Sequence, residues 1–281
     1  MKSIQSRMNT FSKGQRMIAN YLISNYDKAA YMTASKLGKS IGVSESTVVR
    51  FAIEVGFDGY PGLQRALQEM IRTKLTSNQR IEVANMRIGE GDLLEKVLMS
   101  DVEKIRNTIE TIDRNHFNAA VDAILAAKTI YIIGVRSSSS LASFVTFYFN
   151  LIFDHVKFVQ TTSGSEMFEQ ILNIGEDDVM LAISFPRYSK RIINAVEYAK
   201  EMKADVIALT DSTLSPIAEY ADQLLIAQSD MASFVDSLVA PLSIINAMIV
   251  AIGRKKQTEL TQKFDKLERI WEEYDVYAKS H

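Results

Sequence analysis

The 281-residue sequence contains no cysteine. This absence excludes disulfide bonds, thiolate metal sites and a cysteine nucleophile, and it suits a reducing intracellular compartment. The sequence also lacks any uninterrupted apolar run of roughly 18 residues, so no transmembrane helix is predicted. Residues 1–15 do not contain the apolar core of a secretory signal peptide. We therefore expect a cytoplasmic protein that does not bind a membrane.

Motifs for metals and cofactors are missing as well. Only three histidines occur, and they form neither a His-Glu-x-x-His motif nor a closely spaced pair. No Asp-rich loop is present, and no Gly-x-x-x-x-Gly-Lys-Ser/Thr sequence, which would bind a nucleotide phosphate, occurs anywhere. We therefore expect neither a bound metal ion nor a cofactor.

Positive charge is concentrated at the N-terminal end of the chain. Residues 1–80 contain 12 Lys and Arg against 5 Asp and Glu, a net charge of +7, whereas the remaining residues carry 20 against 29. A basic block on an acidic body is typical of a polyanion-binding domain joined to a solvated regulatory domain. The alternative is that surface charges cluster there by chance.

The spacing of apolar residues divides the chain into domains. Helical spacing continues to about residue 75, a polar stretch at 76–90 indicates a hinge, and short apolar runs alternate with helical segments from residue 129 onward. We predict an all-α domain at 1–77, a linker with a bridging helix at 78–112, an α/β domain at 113–257 and a C-terminal helix at 258–281.

Residues 33–55 have the pattern of a helix-turn-helix motif, with helices at 33–39 and 44–55 and a turn that contains Gly42. In this motif the N-terminal residues of the second helix enter the major groove of DNA. Short hydroxyl side chains allow close approach, and basic side chains contact guanine or phosphate. The candidate DNA-binding residues are Lys36, Lys39, Ser44, Ser46, Thr47 and Arg50. The alternative is a helical corner that binds no nucleic acid.

Five short apolar segments, joined by helical ones, predict a parallel sheet in the second half of the chain. The predicted strands are 129–135, 156–160, 178–184, 205–210 and 223–227. In the doubly wound strand order 2-1-3-4-5, the first and third strands are neighbours. The loops that follow them then meet at the topological switch point, where open α/β sheets bind ligands.

The loops after the first and third predicted strands are rich in serine and arginine. Each loop leads into a helix, whose N-terminal N–H groups attract anions such as phosphate. Arginine adds charge and a bidentate geometry suited to phosphate. The candidate ligand-binding residues are Arg136, Ser137, Ser138, Ser184, Arg187 and Ser189. The alternative is that the serines cap helices and the arginines are solvated.

Taken together, these motifs resemble the RpiR family of sugar-responsive transcriptional regulators. The resemblance is carried by residues 42–51 of the helix-turn-helix segment and by segments 132–138, 184–189 and 206–212 of a sugar isomerase (SIS) domain. It implies a flavodoxin-like five-stranded sheet that binds a phosphorylated sugar. The phosphate contacts that it implies are Ser138, Ser184 and Ser189. It also implies a dimer or tetramer that binds a double-stranded DNA operator.

Two arginines depart from the SIS pattern. Arg136 and Arg187 stand where such domains commonly have glycine, and Pro186 replaces a serine. The arginines indicate either a ligand more acidic than a neutral-ring sugar phosphate or a pocket that they partly fill and that has changed its use.

Sugar-phosphate isomerases also contain SIS domains, so catalysis is the rival hypothesis. Isomerisation needs a general base, usually a carboxylate, and often a histidine that opens the ring. Glu166 and Glu169 begin the helix after the second strand, His155 precedes that strand, His116 lies in the linker region and His281 is terminal. Carboxylates at a helix N-terminus more often stabilise the helix dipole. Because a free-standing isomerase has no use for a DNA-binding domain, we predict a regulator of carbohydrate metabolism genes and not an enzyme.

Overall fold

The computed structural model describes residues 4, 7–72, 76–88, 91–160, 163–230 and 235–277. The chain divides into two compact units. The first comprises Met1–Val97 and Met231–Asp236, and the second comprises Leu98–Asp230 and Ser237–His281. No helix in the described ranges combines the length and apolar character needed to cross a membrane.

The first unit is helical. Its elements are a 3-10 turn at Met8–Thr10, α1 (Lys13–Ser24), α2 (Tyr26–Ala29), α3 (Ala34–Ile41), α4 (Glu45–Glu54), α5 (Tyr60–Arg72), α6 (Ser77–Ile88) and the start of α7 (Leu93–Thr111). A capping box begins α1, because the Ser12 hydroxyl accepts from the Gln15 N–H while the Gln15 side chain accepts from the Ser12 N–H.

The helix α6 occupies most of the polar stretch in which the sequence indicates a hinge. Reciprocal hydrogen bonds between Thr76 and Gln79 start it: the Gln79 N–H donates to the Thr76 hydroxyl, and the Thr76 N–H donates to the Gln79 side chain. Arg80, which is buried, pairs with Asp236 inside this unit. Gln79, Arg80 and Glu82 have good helix propensity, so a polar composition alone does not indicate an open linker.

A compact apolar core holds the helices of the first unit together. Phe11, Leu37 and Phe51 are fully buried in it, and the rings of Phe11 and Phe51 meet edge to face with their centroids 5.3 Å apart. Tyr60 at the start of α5 is also buried, and its hydroxyl donates to the Met32 carbonyl oxygen at 2.7 Å. This core therefore holds α3 and α4 against α1 and α5.

The second unit is an α/β sandwich built on a parallel sheet. Its elements after α7 are α8 (Arg114–Ala126), β1 (Ile130–Gly134), α9 (Ser138–Ile152), β2 (Val156–Val159), α10 (Gly164–Ile171), β3 (Val179–Ile183), α11 (Lys190–Glu201), β4 (Asp205–Thr210), a 3-10 turn at Ala218–Tyr220, β5 (Gln223–Ile226), α12 (Val239–Lys255) and α13 (Gln257–Glu273). The strand order is β2-β1-β3-β4-β5 with every pairing parallel. The predicted fold class and the predicted strand order are both confirmed.

Both faces of the sheet are covered by helices. Ile130 and Ile132 of β1 belong to a core shared with α8, α9 and α12, whereas Tyr131 and Ile133 belong to a core shared with α10 and α11. Alternate residues of one strand thus serve two cores, which explains why the strands are apolar throughout. The burial on both faces leaves the carboxyl-terminal edge of the sheet as the place where loops are free to bind a ligand.

One predicted helix differs from the structure. The spacing of residues 214–220 favours a helix, but only the 3-10 turn Ala218–Tyr220 forms there. Pro216 has no N–H to donate and restricts the residue before it, and the hydroxyl of that residue, Ser215, instead accepts from the Thr210 hydroxyl at 2.8 Å. The segment therefore remains a series of turns.

Candidate functional site

The corner between α3 and α4 depends on two glycines. Gly42 ends α3 in the left-handed conformation, with φ of +74°, as the sequence predicts for this turn. A Cβ atom on Gly38 would lie 2.7 Å from the backbone oxygen of Val43. The Val43 N–H in turn donates to the Gly38 carbonyl oxygen at 2.9 Å. The turn therefore packs directly on α3 and sets the direction in which α4 leaves it.

The second helix of the motif begins with a cluster of hydroxyl groups. The Ser44 side chain accepts from the Thr47 N–H at 3.3 Å and lies within 2.9 Å of the hydroxyls of both Ser46 and Thr47. On the opposite side of the helix, Val48 and Phe51 are fully buried. The helix thus turns its apolar face into the core and its hydroxyl cluster outward.

The residues predicted to bind DNA lie mostly on the surface. The exposed members are Lys36, Lys39, Ser44, Ser46 and Arg50, while Thr47 is half-buried. Arg50 Nε donates to the Ser46 carbonyl oxygen at 3.2 Å, which holds the guanidinium along α4 next to the hydroxyl cluster. The corner therefore presents hydroxyl and cationic groups together, the combination that contacts phosphates and base edges.

The start of α1 also approaches this surface, which the sequence pattern did not indicate. A Cβ atom on Gly14 would lie 3.4 Å from Thr47 Cγ2, so the first turn of α1 packs beside the first turn of α4. Lys13, the first residue of α1, is exposed. The clustering of basic residues in 1–80 was the only sequence signal that included it.

A polar cavity of about 790 Å³ lies at the carboxyl ends of β1 and β2, beside the start of α11. Its lining residues are Gly134, Val135, Arg136, Ser139, Gln160, Glu166, Ser189 and Arg191. They come from the segments that follow β1, β2 and β3, three strands that are neighbours in the sheet. This is the topological switch point at which the sequence predicts a ligand site.

The segment from β1 to α9 approaches its own strand closely. A Cβ atom on Gly134 would lie 2.6 Å from the Ser138 carbonyl oxygen, so only glycine fits at this position. Arg136 follows in the left-handed conformation, with φ of 57°. A non-glycine residue in this conformation has a conformational cost of roughly 1 kcal/mol. The left-handed conformation is nevertheless adopted, and it places the Arg136 side chain at the cavity.

The segment from β3 to α11 has a second left-handed arginine, Arg187, with φ of 65°. Ser189 caps α11, since its hydroxyl accepts from the Arg191 N–H at 3.3 Å. Between them, the Tyr188 hydroxyl donates to Asp211 Oδ1 at 2.8 Å and ties the loop to the end of β4. The loop is thus fixed at its middle as well as at its helical end.

The structure separates the six predicted ligand residues into groups. Arg136 and Ser189 line the cavity, and Ser137 is exposed at the start of α9. Ser138 and Ser184 are buried and are not among the lining residues. The exposed Arg187 is not among them either. The lining residues that sequence reasoning did not include are Ser139, Gln160 and Arg191.

The matches to known families follow the same division of the chain. Residues 1–74 match the helix-turn-helix domain of the rpiR family, and residues 123–251 match the SIS domain. Together the two matches cover well over half of the sequence, and the helix-turn-helix match precedes the SIS match. This chain belongs to the RpiR family of transcriptional regulators.

Several known proteins are similar to this chain over much of its length. The HTH-type transcriptional regulator HexR of Escherichia coli strain K12 is 26% identical over 230 residues, which are 79% of this chain and 75% of HexR. The structure of the Vibrio vulnificus NanR protein complexed with ManNAc-6P covers 98% of both chains at a TM-score of 0.61 and 21% identity. The sugar isomerase domain of an RpiR transcription factor from Sphaerobacter thermophilus covers 64% of this chain and 99% of its own at a TM-score of 0.61 and 25% identity.

The sequence offers carboxylates and histidines as candidates for catalysis in this RpiR-family chain, and the structure does not gather them all at the cavity. Glu166 lines the cavity, whereas Glu169 on the same helix does not. His116 lies on α8, where its Nδ1 is 2.9 Å from the Gln223 side-chain oxygen, and His155 lies in the turn before β2. No histidine of the described chain is among the cavity's lining residues. The cavity therefore contains a carboxylate without an adjacent imidazole.

Proposed function

We propose that this RpiR-family regulator binds operator DNA through the α3–α4 corner and that a phosphorylated sugar in the switch-point cavity controls this binding. The proposal is based on two features that occur in one chain. The helix-turn-helix exposes a surface of hydroxyl groups and an arginine, and the carboxyl edge of the parallel sheet has a cavity lined by serine and arginine. The first suits a nucleic acid, and the second suits a small phosphate ester.

The DNA-binding half of the proposal is supported by short side chains and charge. Ser44 and Ser46 allow the backbone of α4 to approach the major groove, and Arg50 reaches a guanine edge or a phosphate. Lys36 and Lys39 on α3 would neutralise backbone phosphates without reading sequence. The net charge of +7 over residues 1–80 favours association with any DNA, so sequence preference is assigned to α4.

The ligand-binding half is supported by the cavity lining. Arg136 forms no ion pair with any residue that the structure describes, and its guanidinium suits the bidentate geometry of a phosphate. Ser139 and Ser189 supply hydroxyl groups, and the cavity lies at the starts of α9 and α11, whose N-terminal N–H groups favour an anion. The volume of about 790 Å³ is within the usual range for small-molecule sites.

Control of DNA binding is proposed to act through a homo-oligomer. Two helix-turn-helix motifs that span two half-sites bind well only at one separation, so a ligand that changes this separation changes DNA affinity. Linkage requires that DNA change ligand affinity by the same factor. Leu98, Val102 and Ile109 form an exposed apolar stripe on α7 in the second unit, which supports self-association. Light scattering of the wild type and of Ile109→Asp tests this part, and a smaller assembly in the variant is expected.

The DNA-binding half is tested by fluorescence anisotropy with an operator that the wild-type protein selects from random-sequence DNA. Arg50→Ala should weaken specific binding by about 1–3 kcal/mol, because it removes a contact to a base edge or phosphate. Lys36→Ala should weaken binding to all sequences and reduce the salt slope by about one. Arg65→Ala is the matched control, since Arg65 is exposed on α5. Unchanged operator affinity in Arg50→Ala would contradict the assignment of α4.

The ligand-binding half is tested by a thermal-shift screen against hexose and pentose phosphates. A stabilising phosphosugar should lose its effect in Arg136→Ala, while DNA binding by the ligand-free variant should be retained. Arg187→Ala is a matched comparison, because both arginines are exposed and left-handed but only Arg136 lines the cavity. If Arg187→Ala abolishes the shift and Arg136→Ala does not, the ligand binds outside this cavity.

A sugar-phosphate isomerase is the second candidate, because Glu166 lines the cavity and a carboxylate is the usual base in that reaction. The named relative HexR is a transcriptional regulator, and none of the histidines in the described part of the chain lines the cavity. We therefore expect no turnover of hexose or pentose phosphates by the purified protein. Turnover that is lost in Glu166→Gln would establish the enzyme instead.

A further inference from the structure

The helix α13 has an apolar side that the described part of the chain does not bury. None of its residues is buried, and Phe264, Ile270 and the following Tyr274 have exposed fractions of 38%, 41% and 72%. We infer that α13 pairs with the α13 of a second copy of this chain as a short, parallel, two-stranded coiled coil. The inference deepens the self-association on which the proposed function relies, and it concerns a surface distinct from the stripe on α7.

The sequence of α13 follows a seven-residue repeat. Apolar side chains recur at alternating steps of four and three residues, which are the d and a positions of a heptad. This heptad stripe consists of Leu260, Phe264, Leu267, Trp271 and Tyr274. Every b, c and f position between Thr258 and Glu273, which would face away from a partner helix, holds a polar residue. A helix with one apolar stripe of this kind is typically covered by another helix.

The second unit itself contacts mainly the beginning of α13. A Cβ atom on Gly253 of α12 would lie 3.6 Å from Leu260 Cδ1, and Lys256 Nζ lies 5.2 Å from the centre of the Phe153 ring. No apolar residue of α13 packs against either core of the second unit, as far as the described residues show. No hydrogen bond or ion pair joins residues 264–273 to another described helix or strand. The later part of the stripe is therefore available to a partner.

Charged residues beside the stripe indicate how the two helices align. Lys263 is at a g position, and Glu268, five residues later, is at the next e position. In a parallel pair in register, a g residue lies beside the following e residue of the other helix, so Lys263 and Glu268 meet twice. The g positions along the stripe hold only Lys263 and Ile270, so an antiparallel pair, which places g beside g, gives Lys263 no acidic neighbour there. The charges therefore favour the parallel alignment with an identical helix.

Within the single chain, Lys263 has one acidic neighbour. Its Nζ lies 3.5 Å from Asp154 Oδ1, and the exposed fractions of the two side chains are 39% and 87%. Such a solvent-exposed ion pair contributes little stability. Because an ammonium group has three donors, Lys263 can contact a carboxylate of a second copy as well as Asp154.

The heptad stripe is short, spanning only two heptads. Helices of this length do not pair stably in isolation, because ordering them costs more than so few contacts return. In a homo-oligomer the rest of the chain holds the copies together, so each α13 is present near its counterpart at a high effective concentration. The pairing of α13 therefore strengthens an assembly of the full chain, and the full chain is the material for its test.

Because the chain has no cysteine, single introduced thiols report directly on the pairing. Phe264→Cys and Tyr274→Cys place a thiol at an a and a d position, where a parallel pair brings identical residues within reach of a disulfide. Asp265→Cys and Glu273→Cys are the matched controls, since these neighbouring residues are exposed on the outer face. Under mild oxidation, the two stripe variants should form covalent dimers at least roughly tenfold faster than the controls.

Reversal of the charges tests the alignment. Lys263→Glu should raise the dissociation constant of the homo-oligomer by roughly three- to thirtyfold, because two attractive pairs become repulsive. Adding Glu268→Lys to this variant should restore the wild-type value, since the pairs then have opposite charges again. Asp154→Asn removes the neighbour of Lys263 within the single chain and should leave the dissociation constant unchanged. Analytical ultracentrifugation measures all four proteins.

The outcomes that contradict the inference are distinct from those that contradict the proposed function. Equal cross-linking in stripe variants and controls, or an equal effect of Lys263→Glu and Asp154→Asn, would overturn the pairing of α13 and leave another interface to form the homo-oligomer. Faster cross-linking in a mixture of Phe264→Cys with Ile270→Cys than in either alone would show an antiparallel pair and overturn the proposed alignment. A wild type that is monomeric at every concentration would overturn both the inference and control through a homo-oligomer.

Discussion

Tyr188 donates a 2.8 Å hydrogen bond to Oδ1 of Asp211, and this bond joins the loop after β3 to the end of β4. Asp211 is only 7% exposed, and its neighbour Thr210 is fully buried and donates to the Ser215 hydroxyl. The loop that carries Ser189 into the cavity is thus held to the sheet by a largely buried polar network. Such a network positions a binding loop more rigidly than contact with solvent would.

We predict that Tyr188→Phe weakens binding of the phosphosugar by roughly three- to tenfold, which corresponds to the loss of one hydrogen bond of about 1 kcal/mol. The loop would spend more time away from the binding conformation, so ligand affinity should fall more than thermal stability does. Titration calorimetry and thermal unfolding measure the two effects. Tyr198→Phe is the control, because its hydroxyl bonds to the Leu172 carbonyl oxygen away from the cavity. Equal losses of affinity in both variants would contradict a role in loop positioning.

We predict that Gly38→Ala destabilises the first unit by about 1–3 kcal/mol and weakens DNA binding. The new Cβ would meet the Val43 backbone oxygen at 2.7 Å, so the turn between α3 and α4 would have to move. Urea unfolding and operator binding are the measurements. Gly62→Ala on α5 is the control, since its Cβ would meet Phe57 at an ordinary 3.4 Å and the helix gains propensity. A Gly38→Ala variant that is as stable as the wild type would show that the corner is more adaptable than its packing indicates.

We predict that the first unit loses stability at alkaline pH through Tyr60. Burial raises the pKa of Tyr60 from its ordinary value of 10.0 to about 12. The unfolded chain therefore releases this proton first, so the stabilising effect is complete below pH 10 and is lost as the pH rises toward 12. Between pH 9 and pH 11, the free energy of unfolding of the first unit should fall by about 1 kcal/mol through this effect.

Urea unfolding at several pH values measures this dependence. Tyr60→Phe should have a free energy of unfolding lower by roughly 1–2 kcal/mol at neutral pH, because it lacks the hydroxyl that donates to the Met32 carbonyl oxygen. Its free energy of unfolding should also lack the fall at alkaline pH, here called the alkaline slope, that Tyr60 contributes. Tyr277→Phe changes an exposed ring and should keep the full slope. A slope identical in the wild type and in Tyr60→Phe would refute the prediction.

Local sequence information predicted the helix-turn-helix corner well. Gly42 takes the left-handed conformation in the predicted turn, Ser44 caps α4, and Val48 and Ala52 face the core at the spacing of an apolar helix stripe. Each of these features is decided within one or two helical turns, by backbone sterics, by the first unpaired N–H groups of a helix and by its 3.6-residue period. The strands were predictable for the same reason, since burial on both faces requires an uninterrupted apolar run.

The composition of the cavity was less predictable. Arg136 and Arg187 are alike in the sequence, and both adopt the left-handed conformation, yet only Arg136 lines the cavity. Arg191 was indistinguishable from any basic residue at the start of a helix, and Gln160 from any polar residue after a strand. Which of these residues lines the cavity depends on the register of β1, β2 and β3 and on the rotation of α10 and α11 against the sheet, and no single segment of the sequence contains that information.

By itself, the sequence determined the order of the two domains, the helix-turn-helix corner and the edge of the sheet at which the polar cavity lies, because hydrophobic periodicity and turn chemistry act over short distances. Only the tertiary structure decided that Arg136, Arg191 and Glu166 share one cavity, because side chains more than 20 residues apart meet only through the pairing of parallel strands. The serine and arginine loops that the sequence indicated thus border a cavity that a carboxylate also lines.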